Sequence, residues 1–262
     1  MGVSSQDELV RLIEKERKSG VFLTVLGFGR GNLKDSTMEK LADTGNGNYA
    51  YIDTISEANK VLVQEAGGTL ITIAKDVKFQ VEFNPEFVSS YRLIGYENRI
   101  MKAEDFNDDK KDAGEIGAGH TVTALYEIIP ANRNTENPAV DPLKYQSERN
   151  KTAAAGFGEI ATVKIRYKKP DGFVSKLLIW PVSSATIPYE ASSENVRFAS
   201  AASMFGMILR DSKFKGSSNY NLIIEIAEKA RQTDPHGYRA EFISLVKKAK
   251  SLNTRGGKDG GS

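Results

Sequence analysis

Val77-Lys-Phe-Gln-Val-Glu-Phe83 alternates apolar and polar residues without a break. Successive side chains of an extended strand point to opposite faces. Val77, Phe79, Val81 and Phe83 therefore share one side, and Lys78, Gln80 and Glu82 the other. The reading is a half-buried antiparallel strand with its apolar side on the core. Asn84-Pro85 turns the chain after it, Tyr91–Tyr96 reads as a second strand and Val122–Ile129 as a third. Ile160–Tyr167 and Phe173–Trp180 flank Lys-Lys-Pro-Asp-Gly, a strong hairpin signal. Five strands without intervening helices, within residues 68–190, predict an antiparallel β-sandwich. Residues 131–158 are rich in Asn and Pro, lack periodicity and read as a long loop.

Upstream, residues 1–67 follow a different rhythm. Ser5 and Glu8 form a capping box, and Leu9, Leu12 and Ile13 recur at helical spacing before Gly20 stops the helix. Val21–Leu26 is an apolar run of strand length, the pattern of a strand buried on both faces. Asp35 or Ser36 can cap a short helix, Tyr49–Asp53 reads as a strand and Ser56–Ala66 as a helix. Short loops between alternating helices and strands imply parallel pairing with helical crossovers. Two strands are too few for a stable parallel sheet, so this is expected to be a partial Rossmann-like α/β segment, the end of a doubly wound domain.

Downstream, residues 191–252 carry three apolar stripes at helical spacing. They are Phe198, Ala202, Phe205, Ile208 and Leu209; Leu222, Ile223, Ile226, Ala227 and Ala230; and Phe242, Leu245, Val246 and Ala249. Residues 253–262 read as a flexible tail. The expected class is thus α+β: the α/β segment, an antiparallel β-sandwich, then a C-terminal helical subdomain. Both ends look like cuts from something longer.

Composition closes off several chemistries. The 262 residues contain no cysteine, which excludes disulfides, iron–sulfur clusters, thiolate zinc sites and thiol nucleophiles. Two histidines, His120 and His236, cannot supply a three-imidazole metal site, and each reads as a local hydrogen-bonding residue. A net charge of +2 gives no footprint for nucleic acid. From residue 192 on, 12 basic against 7 acidic residues read as solvated helix faces and a basic tail. There is no apolar run of spanning length and no signal core.

Sequence motifs give few sites. Gly27-x-Gly29-x-Gly31 follows a strand, yet a dinucleotide fingerprint needs glycine where Asn32 stands. Loops at the carboxyl ends of parallel strands line the usual ligand crevice, which makes Arg30, Asn32 and Asp35 candidate rim residues. Asp105-x-Asn107-x-Asp109 looks like the opening of a calcium loop, but Lys110 and Ile116 stand where glycine and glutamate belong. It reads instead as a solvated loop. Trp180 reads as a strand-end core residue, with a surface aromatic for sugar or peptide as the alternative. Asn150-Lys-Thr152 is a formal sequon. No nucleophile has a base at readable spacing.

Thr24-Val-Leu-Gly-Phe-Gly-Arg-Gly-Asn32 and Met38–Tyr49 resemble the last third of a von Willebrand factor type A domain. Tyr91-Arg-Leu-Ile-Gly-Tyr-Glu-Asn-Arg99, Asp105-Phe-Asn-Asp-Asp109, Asp112–Glu127, Asp141-Pro-Leu-Lys-Tyr145 and Phe205-Gly-Met-Ile-Leu-Arg-Asp211 resemble the bacterial YfbK-type von Willebrand A proteins and their C-terminal domain. The resemblance implies a metal-ion-dependent adhesion site at the edge of the A-domain sheet. Its Asp-x-Ser-x-Ser run, Thr and Asp come from earlier in that fold, so no metal ligand carries over to a residue here. Magnesium or another divalent ion is expected only in the intact A domain, and no cofactor in this chain.

The expectation is a non-enzymatic protein-binding or scaffolding fragment with an unknown protein ligand. The resemblance implies a bacterial cell-envelope setting, periplasmic or as a membrane-anchored lipoprotein. The rivals are an enzyme or nucleotide binder using the Gly27–Asn32 loop, and a sugar-binding sandwich using Trp180 or Tyr189.

Overall fold

A computed structural model of the chain describes residues 6–18, 20–29, 34–96, 99–132 and 151–256. They form two compact units.

The first unit opens with the α/β segment. Helix α1 (Gln6–Lys18) leads to β1 (Val25–Phe28), α2 (Asp35–Thr44) and β2 (Tyr49–Ile52). β1 and β2 pair in parallel, Val25 opposite Tyr49 and Phe28 opposite Ile52, with α2 as the crossover. The strand is shorter and later than the apolar run implied, and it is not buried on both faces: Val21, Phe22 and Phe28 are exposed. With one neighbour, β1 has less cover than a central strand. The helix expected over Ser56–Ala66 is broken into α3 (Ile55–Asn59), a π-helical turn (Lys60–Gln64) and α4 (Ala66–Leu70). Thr54 caps α3 by accepting from the Glu57 N–H. Asp35 does not cap α2; it is the first helical residue, after Lys34.

The turn Gly45–Asn48 is packed hard against the chain entering β1. The Leu23 N–H donates to the Gly45 carbonyl at 3.0 Å and the Val25 N–H to the Asn48 carbonyl at 2.8 Å. A Cβ on Gly47 would fall 1.7 Å from the Leu23 carbonyl oxygen, so only glycine fits. Asn46, between the two glycines, holds a left-handed backbone at φ 50°, which Asn tolerates better than most residues.

The main sheet of this unit is antiparallel. It uses β3 (Thr72–Phe83), β5 (Gly114–Gly117), β7 (Glu159–Lys168) and β8 (Lys176–Ser183), in the order β5-β3-β7-β8. Cross-strand partners share a face. One side therefore carries Phe79, Ile165 and Leu178; Val81, Val163 and Trp180; and Phe83, Ala161 and Val182. The other carries Lys78, Arg166 and Leu177, then Gln80, Lys164 and Ile179.

β4 (Val88–Ile94) and β6 (Leu125–Pro130) do not join this sheet. They form a two-stranded ribbon, and all but the first residues of β4 belong to the second unit, with the helices. The compact units thus interleave along the sequence. A two-stranded ribbon is marginal alone. This one binds helical residues: the Arg92 guanidinium pairs with Glu127, stacks 4.1 Å over the Phe214 ring and approaches Met207 Sδ.

The helices are α5 (Glu194–Leu209), α6 (Tyr220–Lys229) and α7 (Tyr238–Gly256). Ser193 and Asn219 cap α5 and α6 by accepting from the Val196 and Leu222 N–H groups. Their core is Ala201, Ile223, Ala227, Ile243 and Val246, flanked by Phe198, Phe205 and Phe242 edge to face. No described helix is long and apolar enough to cross a membrane.

Candidate functional site

Against β7, β3 contains one residue too many. Lys75 pairs with Lys168 and Lys78 with Arg166, so two β3 residues lie against one of β7. On the other side Ala74 pairs with Ile116 and Val77 with Gly114, so Lys75 and Asp76 lie against Glu115 alone. That is a β-bulge, a device that bends a strand and re-aims side chains. Asp76 takes the left-handed backbone it requires, at φ 51°.

The bulge gathers three carboxylates that stand up to 39 residues apart in sequence. Asp76, Asp112 and Glu115 each present an oxygen within 4.8 Å of the others. The Lys168 ammonium stands 2.6 Å from Asp76 Oδ2, and the Ala113 N–H donates to Asp76 Oδ1 at 3.2 Å. Arg17, from α1, stands 2.8 Å from Asp112 Oδ2. The Asn46 amide donates to Asp112 Oδ1 and Glu115 Oε1, both at 3.3 Å.

These surroundings drive the three groups apart. Burial works against the Asp76 charge, but the bonds from Lys168 and the Ala113 N–H outweigh it and hold its carboxyl below the usual range. Burial and the neighbouring Asp76 carboxyl push Asp112 up. Burial, then the negative charges of Asp76 and Asp112, push Glu115 up to about 7. Glu115 Oε2 is shut off from solvent with no hydrogen-bond partner.

Three close carboxylates would suit a divalent ion by spacing alone. Here Lys168 and Arg17 already supply the opposing positive charge, and the Asn46 amide occupies two of the oxygens. At the parallel edge the described candidate is Asp35. Asp35 there accepts a hydrogen bond from the Tyr49 hydroxyl, which pushes the tyrosine up to about 12, and the chain has no Asp-x-Ser-x-Ser run.

The stretch resembling a calcium loop is a cation site of another kind. Lys78 is only 3 % exposed, the reverse of its expected solvent position. Its ammonium donates to the carbonyls of Asp105, at 3.1 Å, and Asp108. Lys168 donates to the Asp109 carbonyl at 2.8 Å, and Arg166 reaches Asn107 Oδ1 at 3.0 Å. Asn107 Oδ1, an oxygen that would face an ion in a calcium loop, thus faces a side chain of the sheet, and three backbone carbonyls of the segment do so too. The segment is anchored, not simply solvated.

On the opposite side of the sheet, apolar residues reach water, as do Leu177 and Ile179 of the edge strand β8 on the Lys78 side. Phe79 is 48 % exposed and Trp180 73 % exposed, so the strand-end core reading of Trp180 fails. Leu178 and Val182 are exposed beside it. Of the three-by-three array of apolar side chains, these four stand in water while Ala161 is buried. Periodicity found the apolar side; it could not show that a loop would cover the cationic side instead.

Of the candidate rim residues, Arg30 and Asn32 lie outside the described residues, while Asp35 starts α2 and is held by Tyr49. His120 donates its backbone N–H to the Gly117 carbonyl at 3.1 Å, and His236 stacks on Tyr238. Asp76, Asp112 and Glu115 were missed as a group. The available signal was the polar pair Lys75-Asp76 interrupting an otherwise strand-like run.

The family described as "Uncharacterized protein YfbK, C-terminal" matches residues 68–252. The chain belongs to that family. It is 41 % identical over 252 residues to the "Uncharacterized protein YfbK" of Escherichia coli strain K12, a match covering 96 % of this chain and 43 % of that protein. The chain therefore spans less than half the length of this curated relative. Among solved structures it is similar to the ArnB paralog VWA2 from Sulfolobus acidocaldarius, at 13 % identity and a TM-score of 0.38, covering 89 % of this chain and 54 % of that one.

Proposed function

We propose that the chain is a non-enzymatic protein-binding or scaffolding part of a bacterial cell-envelope von Willebrand A protein. Residues 1–67 are the C-terminal portion of the A-like domain, and the sheet of residues 68–190 is one layer of a sandwich that its ligand completes. The observation that carries this reading is the uncovered apolar array around Trp180. Exposed apolar patches of this kind mark interaction surfaces. Its neighbours Leu178, Val182, Val163 and Phe79 are hydrocarbon. A glycan site would instead need polar groups around the ring, so the occupant is an apolar protein surface. The divalent ion of the intact A domain is a second contact in this scheme, with Arg30, Asn32 and Asp35 at its rim.

A photo-cross-linking residue at position 180 of the intact protein, in living cells, tests the proposal. Adducts with a protein are expected from position 180 and not from Lys213. Equal or no labelling at the two positions overturns it. Quenching of Trp180 by glycans would favour the sugar-binding alternative, and chelation should weaken capture if the A-domain ion takes part. Fractionation of cells would place the protein in or out of the envelope.

A further inference from the structure

We propose that Asp76, Asp112 and Glu115 form a proton-operated latch: with Glu115 protonated, α1 and the Gly45–Asn48 turn stay clamped to the β3–β5 pair, and with Glu115 ionised the clamp lets go.

The cluster is where the α/β segment meets the antiparallel sheet within the first unit. Arg17 comes from α1 and Asn46 from the turn after α2. Asp76 comes from the β3 bulge, Asp112 from the loop before β5 and Glu115 from β5 itself. Among the described contacts across the junction, Arg17–Asp112, Asn46–Asp112 and Asn46–Glu115 all end on a carboxyl of the cluster, while Arg99 pairs with Asp43 of α2 outside it.

The charges around Glu115 do not balance when it is ionised. Facing it are Asp76 and Lys75 from β3, Asp112 from the preceding loop and the neutral amide of Asn46 from the turn. Beyond them, Lys168 of β7 is committed to Asp76 and the Asp109 carbonyl, and Arg17 of α1 to Asp112 and the Thr44 carbonyl. Three carboxylates then share two bound cations, with Lys75 acting only at longer range. The buried Oε2, with no donor to serve it, is where the surplus charge would sit. A negative oxygen in that position is far more costly than a neutral carboxyl. A proton on Glu115 removes the surplus and leaves the Oε1 bond to Asn46 intact. Its loss sets Glu115 against Asp112 and Asp76, and the junction yields where it is held by a flexible amide. Burial and those two neighbours place the transition near neutral pH, at about 7.

The test follows amide exchange of the full chain, corrected for intrinsic rate, at about pH 5.5 and about pH 8.5. Protection in α1 and the turn should fall about tenfold at the higher pH, while α5–α7 keep theirs. Glu115→Gln, which mimics the protonated form, should abolish the difference. Equal protection in the unmodified chain at both pH values overturns the latch, as does a fall that persists in Glu115→Gln. Should that variant fail to fold, the Glu115 side-chain carbon can be titrated by NMR in the unmodified protein. A midpoint in the ordinary glutamate range would overturn the proposal, and one near neutrality supports it.

Discussion

Lys168 and Asp76 form an ion pair, Nζ 2.6 Å from Oδ2, with side chains only 11 % and 15 % exposed. The two residues lie 92 positions apart, on neighbouring strands. The pair is the cationic arm of the bulge cluster, and its removal exposes what the cluster contributes.

Lys168→Met should leave the Asp76 carboxylate withdrawn from water without its cation. Breaking one partner of such a pair costs about 3–5 kcal/mol. Urea unfolding will show it as a lower midpoint. Adding Asp76→Asn should recover part of the loss; a double variant no more stable than the single would assign the damage to lost packing instead.

Stability should change with pH in two opposed windows. Asp76 is held below its ordinary value of 3.8, so its contribution is present above that value and is lost as pH falls below it. Glu115 is raised from 4.5 to about 7, so its contribution is present below 4.5 and is lost as pH rises through 7. Glu115→Gln should remove the second slope and leave the first. Denaturant midpoints across the range read both.

Lys78→Met should free the segment carrying Asp105 and Asp108, whose carbonyls lose their shared donor. The expected cost is about 1–3 kcal/mol, the penalty for unsatisfied buried groups. Amide exchange across residues 103–109 should rise more than exchange in β3 itself; a uniform rise would contradict the anchoring role.

Two glycines should respond oppositely to alanine. Gly47→Ala places a Cβ 1.7 Å from the Leu23 carbonyl oxygen and must push the turn off its strand. Gly206 lies within α5 with open space around its missing Cβ. Gly206→Ala should stabilise by about 0.5–1 kcal/mol through helix propensity. Thermal unfolding of both variants is sufficient to check the signs.

Much of the fold was legible because periodicity is local. The helical end shows both the strength and the limit of that signal. Ile223, Ala227 and Val246 were expected in the core and are there, yet Leu209 and Leu245 are exposed and Ile243 takes an unexpected inward place. A stripe fixes a helix's apolar side to within a residue or so; neighbouring helices choose the rotation. The hairpin of β7 and β8 was readable from Pro170-Asp171-Gly172, since turn chemistry is local too.

The carboxylate cluster was not legible in this way. Its members acquire meaning only through the β3–β5 pairing and through a bulge that no alternation pattern announces. The same holds for Lys78 and Phe79. Alternation placed them on opposite faces correctly, but which face is covered depends on a loop more than twenty residues away. Trp180 failed for the same reason: a tryptophan at a strand end states that an apolar side exists, and says nothing of what lies over it.

The bulge at Asp76 has a consequence for the rest of its strand. Residues three apart in a regular strand point to opposite sides. Lys75 and Lys78 nonetheless share a side, opposite Lys168 and Arg166. Asp76 therefore works as a phase shifter. It lets one continuous strand run two incompatible alternations end to end, and it sorts the cations of both halves onto a single layer. Deleting this one residue, in contrast to substituting it, would swing Lys75 over to the side of Phe79 and scramble the inside and outside of everything upstream in β3.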